Sequence, residues 1–466
     1  MKLYRNAIIL VIIVALLVGA YFLISRNKAN EEITDNTAEN LLKLTDYTSE
    51  DVESVKLQNA DGTFIIVKKD TEWTLSSPTD FTADSSVLSS IVINAASLTA
   101  DKLVEENAGN MATYGLDKPI IITLKLKDGT EKVLEIGNQT PTESGYYGRL
   151  SGENKVYVLG SYSSEKLVIG KNGLRSKAIY SIASDTINQL SMDRDGQNVF
   201  VSEMDANKNW SMVQPIKGSM NASALTPMLE AVASLTVTDF VEDKPADLSK
   251  YGLDKPSYSL GFKTADGKAY KLIMGAEKTK GSDIYVKLDG RDEVYLMDIS
   301  AFTFLDKPLK EIVDVFAYIV NIDQVKKIDL TMDGKTTTMT LDVYTDAEGK
   351  TDADKDKFTV DGKDASGKDD KDKQPFRTFY QSLIGISLDE VDVNGTPAGA
   401  PEISINYTLK NGTMKVDYIS KDANYYYVVR NGEYAGILVK KNKGDLGVIG
   451  MKESYKAMMD FLAAQK

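Results

Sequence analysis

The chain contains neither cysteine nor histidine. Without cysteine there are no disulfides, no thiolate nucleophiles and no lipid attachment at a thiol; without histidine there is no Ser-His-Asp triad and no imidazole acid-base chemistry. Zinc sites of the Cys/His kind go with both. Any catalysis would have to run on Asp, Glu, Lys, Tyr or Ser. Clusters of Lys and Arg are missing too, and a net charge of -13 over 466 residues argues against nucleic acid, which rewards basic patches through counterion release. The acidity reads as solubility. A 42% hydrophobic share with modest Gly and Pro usage belongs to folded protein, and the length predicts roughly two to four domains.

One long apolar run is present. Ala7 to Ile24 carries no charge, and as a helix it would be roughly 27 Å long, close to the ~30 Å hydrocarbon core of a bilayer. Val18-Gly19-Ala20 would suit a signal peptidase, but the apolar run continues through Tyr21, Phe22, Leu23 and Ile24, which favours an uncleaved anchor. The expected layout is a cytoplasmic tail at 1–6, a transmembrane helix at 7–24 and a polar linker at 25–43. It implies a single-pass protein of the cell membrane with its bulk outside the cytoplasm. Lys2 and Arg5 before the run nearly balance Arg26 and Lys28 after it, so the orientation rests on the tail being too short to fold.

Internal repetition organises the rest. YGLDKP occurs at Tyr114 to Pro119 and again at Tyr251 to Pro256, 137 residues apart, and the same offset carries Trp73 onto Trp210, the two tryptophans of the chain. Downstream, KLKDGTEKVLEIG at 125–137 parallels FKTADGKAYKLIMG at 262–275, and YGRLSGENKVYVL at 147–159 parallels YVKLDGRDEVYLM at 285–297. A worn third copy places Phe358 where the tryptophans stand and replaces the hexapeptide with NGTPAGAP. The expected units are 44–183, 184–319 and a degenerate 320–466 with charged insertions.

Within a unit, strands alternate and break at Asp-Gly or Asn-Gly turns, and one principal helix follows the Trp strand, starting near Asp84, Asn221 or Gln374. The connections are too short for parallel crossovers. The expected fold class is therefore α+β: an N-terminal transmembrane helix followed by three tandem repeats of mainly antiparallel β-sheet, with one principal helix each.

In the hexapeptides, Gly115 and Gly252 suit a positive φ, Asp117 and Asp254 are placed to bond nearby amides, and Pro119 and Pro256 fix entry to a strand. Tyr114, Leu116, Tyr251 and Leu253 would pack. The competing reading, a Tyr-Asp-Lys site, would need a general base and an oriented partner that spacing does not supply. Asp352, Asp354 and Asp356 imitate the start of a calcium loop, but Lys357 stands in place of its glycine and Lys363 in place of its glutamate, so a solvated loop is expected. No catalytic, cofactor-binding or metal residue is assigned, and no cofactor is expected.

An anchor followed by Trp-bearing hairpins, a helix and a YGLxxP segment leading into strands resembles the domain of unknown function 4340 family, through Trp73, Tyr114 to Pro119, Trp210 and Tyr251 to Pro256. The resemblance is good from about Asp46 to Phe316 and weak over the third copy. It implies a bacterial envelope protein whose genes accompany an ABC-type transporter similar to the gliding-motility export system. It lends no catalytic residues. The expectation is a non-enzymatic, extracytoplasmic accessory working with a transporter permease or an envelope-assembly complex. An alternative is a glycan or peptidoglycan binder using Tyr146, Tyr147, Tyr425, Tyr426 and Tyr427, since neighbours along a strand face opposite sides. A hydrolase built on paired Asp or Glu carboxylates is a third expectation, and no pair is fixed by the sequence.

Overall fold

Two-residue turns set the strands. Asp195-Gly196, Asp333-Gly334, Asp361-Gly362 and Asn431-Gly432 all have positive φ at both residues, the conformation that closes a tight hairpin in step with the twist of its strands. The computed structural model describes residues 42–314, 316–444 and 446–465. The described residues divide into two compact units, with the boundary between 176 and 177.

The first unit holds one nine-stranded antiparallel sheet. Its strands are β1 (Leu42–Lys43), β2 (Val52–Asn59), β3 (Gly62–Lys69), β4 (Glu72–Ser77), β5 (Thr99–Glu105), β6 (Ile120–Leu126), β7 (Glu131–Gln139), β8 (Gly145–Leu150) and β9 (Val156–Gly160). Their order is β1-β5-β9-β8-β7-β6-β2-β3-β4, so the opening meander meets the closing one through β2 and β6. Helix α1 (Ser85–Ala96) lies between β4 and β5 in sequence. Its Leu88, Ile91, Val92 and Ala95 recur at helical spacing and are fully buried with Val55, Leu57, Ile66, Ile122 and Leu124 of the sheet. The Asp84 carboxylate caps it, accepting from the amides of Ser86 at 2.9 Å and Val87 at 3.3 Å.

The second unit holds two more nine-stranded antiparallel sheets of the same plan. A short separate ribbon pairs β10 (Ala178–Ser181), ahead of both sheets in the chain, with β15 (Ser234–Thr236), which falls between two strands of the first. One sheet contains β11 (Ile187–Arg194), β12 (Gln197–Met204), β13 (Trp210–Gln214), β14 (Gly218–Ser219), β16 (Asp239–Glu242), β17 (Tyr258–Thr264), β18 (Ala269–Thr279), β19 (Asp283–Leu288) and β20 (Val294–Asp298), in the order β14-β13-β12-β11-β17-β18-β19-β20-β16. The other contains β21 (Val325–Met332), β22 (Lys335–Asp342), β23 (Lys357–Val360), β24 (Lys363–Asp364), β25 (Glu390–Val391), β26 (Ile403–Leu409), β27 (Gly412–Ser420), β28 (Tyr425–Arg430) and β29 (Glu433–Lys440), in the order β24-β23-β22-β21-β26-β27-β28-β29-β25. Helix α2 (Ala222–Ala233) serves the former, and α3 (Pro375–Ile384) with α4 (Val448–Ala464) the latter. Trp73, Trp210 and Phe358 sit at equivalent places, on the strand that follows the first long hairpin of each sheet: β4, β13 and β23. One continuous apolar core runs through both sheets of the second unit.

The expected fold class is corrected on two counts. Among the described residues strand makes up 43% and helix 19%, so the architecture is mostly β: each sheet spends nine strands on a core that a few helices close. No helix among the described residues is long and apolar enough to cross a membrane. The longest, α4 at 17 residues, carries Lys452, Glu453, Lys456 and Asp460 and buries only one face. The transmembrane element is therefore withdrawn from the fold; the run over 7–24, the tail at 1–6 and most of the linker lie outside the described residues. The third sheet also departs from one principal helix per repeat by adding α4.

Candidate functional site: the repeated turn and a cleft in the second unit

The hexapeptide forms the same turn in both copies. Met111–Tyr114 and Ser249–Tyr251 are single 3₁₀ turns ended by Gly115 at φ +70° and Gly252 at φ +67°. The next amide reaches back across each turn, Leu116 to the Met111 carbonyl at 3.0 Å and Leu253 to the Leu248 carbonyl at 3.1 Å. This left-handed exit is what glycine permits.

The side chains close a small cluster beside the main core. Leu116 gathers with Ala108 and Val156, and Leu253 with Tyr251 and Val294. The Tyr114 ring meets Tyr147 edge-on at 5.0 Å, and Tyr251 meets Tyr285 at 5.0 Å. The Tyr114 hydroxyl donates to Glu105 Oε2 at 2.6 Å, and Tyr251 donates to Glu242 Oε2 at 2.6 Å. Lys250 adds a third group, donating to the Glu242 carboxylate at 2.6 Å. That bond, followed by the one from Tyr251, holds the Glu242 carboxyl below its ordinary range. The Glu105 bond pushes the Tyr114 phenol up.

Asp117, Lys118, Asp254 and Lys255 are exposed. Among the described residues neither Asp117 nor Asp254 accepts a hydrogen bond; carbonyls satisfy the turn amides expected to bond them. Pro119 and Pro256 are half-buried just ahead of β6 and β17.

Two glycines missed from the sequence complete the turn. A Cβ on Gly137 would lie 2.1 Å from the Tyr114 carbonyl oxygen, and one on Gly275 would lie 2.1 Å from that of Tyr251. Both stand where the pairing slips, between Ile136 and Gln139 on one sheet and between Met274 and Glu277 on the other. Glu105 and Glu242 were also missed, although their spacing of 137 residues is that of the hexapeptides. The same alignment could have found them.

The tyrosine runs are largely engaged in packing. Tyr146 and Tyr147 are half-buried, Tyr426 is 4% exposed with its hydroxyl donating to Glu402 at 2.6 Å, and Tyr425 and Tyr427 are half-buried. Tyr427 meets Tyr434 edge-on at 5.3 Å, so Tyr434 supplies the ring that the missing hexapeptide would have brought. NGTPAGAP lies over this pair: a Cβ on Gly395 would come within 2.7 Å of Tyr434 and 2.8 Å of Tyr427.

The aspartates of the charged insertion have separate partners. Asp352 pairs with Lys355 at 3.1 Å and Asp354 with Lys368 at 2.9 Å, while Asp356 is buried against Arg377. Among the described residues, no group of three or more acidic side chains is arranged to hold a metal.

A cleft of about 480 Å³ opens inside the second unit. Its walls are Met212, Val213 and Ile216 from one sheet, Phe316 and Ile319 from the connecting segment, and Ile437 from the other sheet. Ile216 presses onto Gly436, where φ is +74° and a Cβ would stand 2.1 Å from the Ile216 Cγ2. Arg430 reaches the floor, donating from Nε to the Ala317 carbonyl at 2.8 Å and from Nη2 to the Phe316 carbonyl at 3.3 Å. Burial lowers its pKa. Sequence spacing gave no sign of this residue, because its partners lie in the connector.

A family model described as a domain of unknown function (DUF4340) matches residues 73–217 and 210–391. The chain belongs to the DUF4340 family. Its two matches open on Trp73 and Trp210, so the family module begins at the tryptophan-bearing strand of one sheet and runs on into the first strands of the next. No curated protein matches the chain.

Proposed function

We propose that this DUF4340 protein is a non-enzymatic, extracytoplasmic accessory that binds another envelope protein, such as the permease of an ABC-type transporter or a component of an envelope-assembly complex. The observation that carries the reading is how the repeated polar side chains are used. Tyr114 with Glu105 and Tyr251 with Glu242 brace a turn against its own sheet, and neither pair opens into the cleft. Tandem copies of one sheet present related surfaces, which suits contact with an extended or multi-part partner. The uncharged run over 7–24 of the sequence supports export to the envelope.

The test is crosslinking in intact cells followed by purification of the protein and mass spectrometry of what is attached. A transporter permease, its ATPase or an envelope-assembly protein should be enriched over an unrelated exported control. Recovery of none of these overturns the reading.

A further inference from the structure

We propose that the cleft in the second unit binds a small amphiphilic carboxylate, whose acid group is taken by Arg430 and whose apolar body lies over Met212, Ile216 and Ile437. The proposal goes beyond the accessory role and does not depend on it.

Arg430 holds its charge without a carboxylate in direct contact; Asp314 acts on it only from beyond ion-pair distance. A guanidinium drawn out of water is costly unless it is paired or fully hydrogen-bonded. Arg430 is half-buried, and its acceptors are the carbonyls of Ala317 and Phe316. Among the described residues no carboxylate lies within ion-pair distance of it. Of the five N–H groups of a guanidinium, Nε and one on Nη2 are spent, which leaves the donors of Nη1 and one more on Nη2. These suit a two-pronged bond to a carboxylate. Nη1 looks toward Gly218 on the cleft wall, where a Cβ would lie 3.7 Å away, so no side chain screens it there.

The other charged and titratable groups narrow the ligand. Asp314 lines the same cleft, beyond ion-pair reach of Arg430, and its carboxylate accepts from the Phe316 amide at 3.4 Å. A second negative charge on the ligand would meet that carboxylate, so a monoanion fits better than a phosphate dianion. Lys217 at the rim is paired with Glu433 at 3.0 Å and leaves the acid group to Arg430. Tyr318 lines the wall, and Tyr418 is near enough to the guanidinium to act on its charge; burial pushes both phenols up and keeps them protonated. The remaining lining is mainly apolar, with Val213 37% and Ile319 49% exposed at the mouth. A volume of about 480 Å³ is that of a small-ligand site.

Titration calorimetry of the full chain with decanoate below its micelle concentration tests the proposal, with decanol and decylamine as neutral and cationic probes of equal length. Decanoate should bind about tenfold or more tightly than decanol, the worth of a charge-assisted hydrogen bond, and decylamine should not bind. Arg430 also holds the connector, so Arg430→Gln is read only if its melting temperature matches the parent, and then it should bring decanoate down to the level of decanol. The exposed rim supplies the second variant: Val213→Asp should keep the melting temperature and weaken decanoate about tenfold through like-charge repulsion. Equal affinity for decanoate and decanol, binding of neither, or a folded Arg430→Gln or Val213→Asp with undiminished decanoate binding overturns the proposal. Any of these would leave the accessory reading standing, because crosslinking reports the partner and not the cleft.

Discussion

Gly137 and Gly275 show why a turn can depend on residues in another strand. Each lets the carbonyl at the end of its 3₁₀ turn approach the sheet, and a Cβ there would lie 2.1 Å from that oxygen, which leaves no room for a methyl group against backbone. Gly137→Ala and Gly275→Ala should each destabilise by roughly 1–3 kcal/mol, the usual cost of overpacking. Lys118→Ala and Lys255→Ala, at exposed positions, should stay within about 0.5 kcal/mol. The two tryptophans make the experiment local: urea unfolding followed by fluorescence in Trp210→Phe reports Trp73 and the first unit, and in Trp73→Phe it reports Trp210 and the second. Equal small effects of the glycine and lysine changes would refute the tight approach. Glu242 gives the residue-scale prediction for pH. Its folded-state pKa is depressed from 4.5, chiefly by the Lys250 bond and then by Tyr251. The stability it contributes is therefore complete above about 4.5 and fades as the pH falls through the lower, folded value. Glu242→Gln still accepts from Tyr251 but does not titrate. The gap in melting temperature between parent and variant should be largest above pH 5 and shrink in acid; parallel curves from neutral to acid pH would exclude the linkage.

At the scale of elements, the parts that were readable are those fixed by local chemistry. Asp-Gly and Asn-Gly pairs adopt the positive φ values of tight hairpins, and Asp84 accepts the first free amides of α1. Asp84→Ala should cost about 1 kcal/mol by loss of the cap, with Asp84→Asn costing less. Unfolding followed at Trp73 measures it, and an Asn variant as weak as Ala would show that the hydrogen bond is not what stabilises the helix end. What escaped the sequence was set by distant contacts. Helix α4 occurs in one copy, so alignment of repeats had nothing to match it with, and its buried side chains include the methionines Met451 and Met458. Its Tyr455 shares a hydrogen bond with Thr337 at 2.7 Å, a pairing across 118 residues that no local pattern encodes. The hexapeptide was legible as a turn, and its acid partners Glu105 and Glu242, nine residues ahead of each tyrosine and 137 residues apart, lie within reach of the same repeat alignment. Arg430 escaped because its acceptors are backbone carbonyls more than a hundred residues earlier.

Across the whole molecule, the copies are not equivalent folding units. The last two sheets share one core, and the segment joining them is stitched to both: Met220 bridges to Val313 on one side and Phe316 to Ser387 on the other, with the Ala317 amide donating to the Ile386 carbonyl at 2.8 Å. Ile216 against Gly436 and Arg430 against the connector add contacts that neither sheet could keep alone. Residues 177–466 should therefore fold and melt as one body, while 320–466 by itself, with that face exposed, should lack a cooperative transition. Trp210, the single tryptophan of 177–466, belongs to the earlier sheet, so it reports whether damage to the later one is felt across the joint. Gly436→Ala should lower stability by roughly 1–3 kcal/mol through its clash with Ile216, and the Trp210 fluorescence transition should move together with the far-ultraviolet circular dichroism of the whole fragment. If the dichroism moved while the Trp210 transition stayed in place, the two sheets would be separate domains that touch, and the shared core would not be the source of their stability.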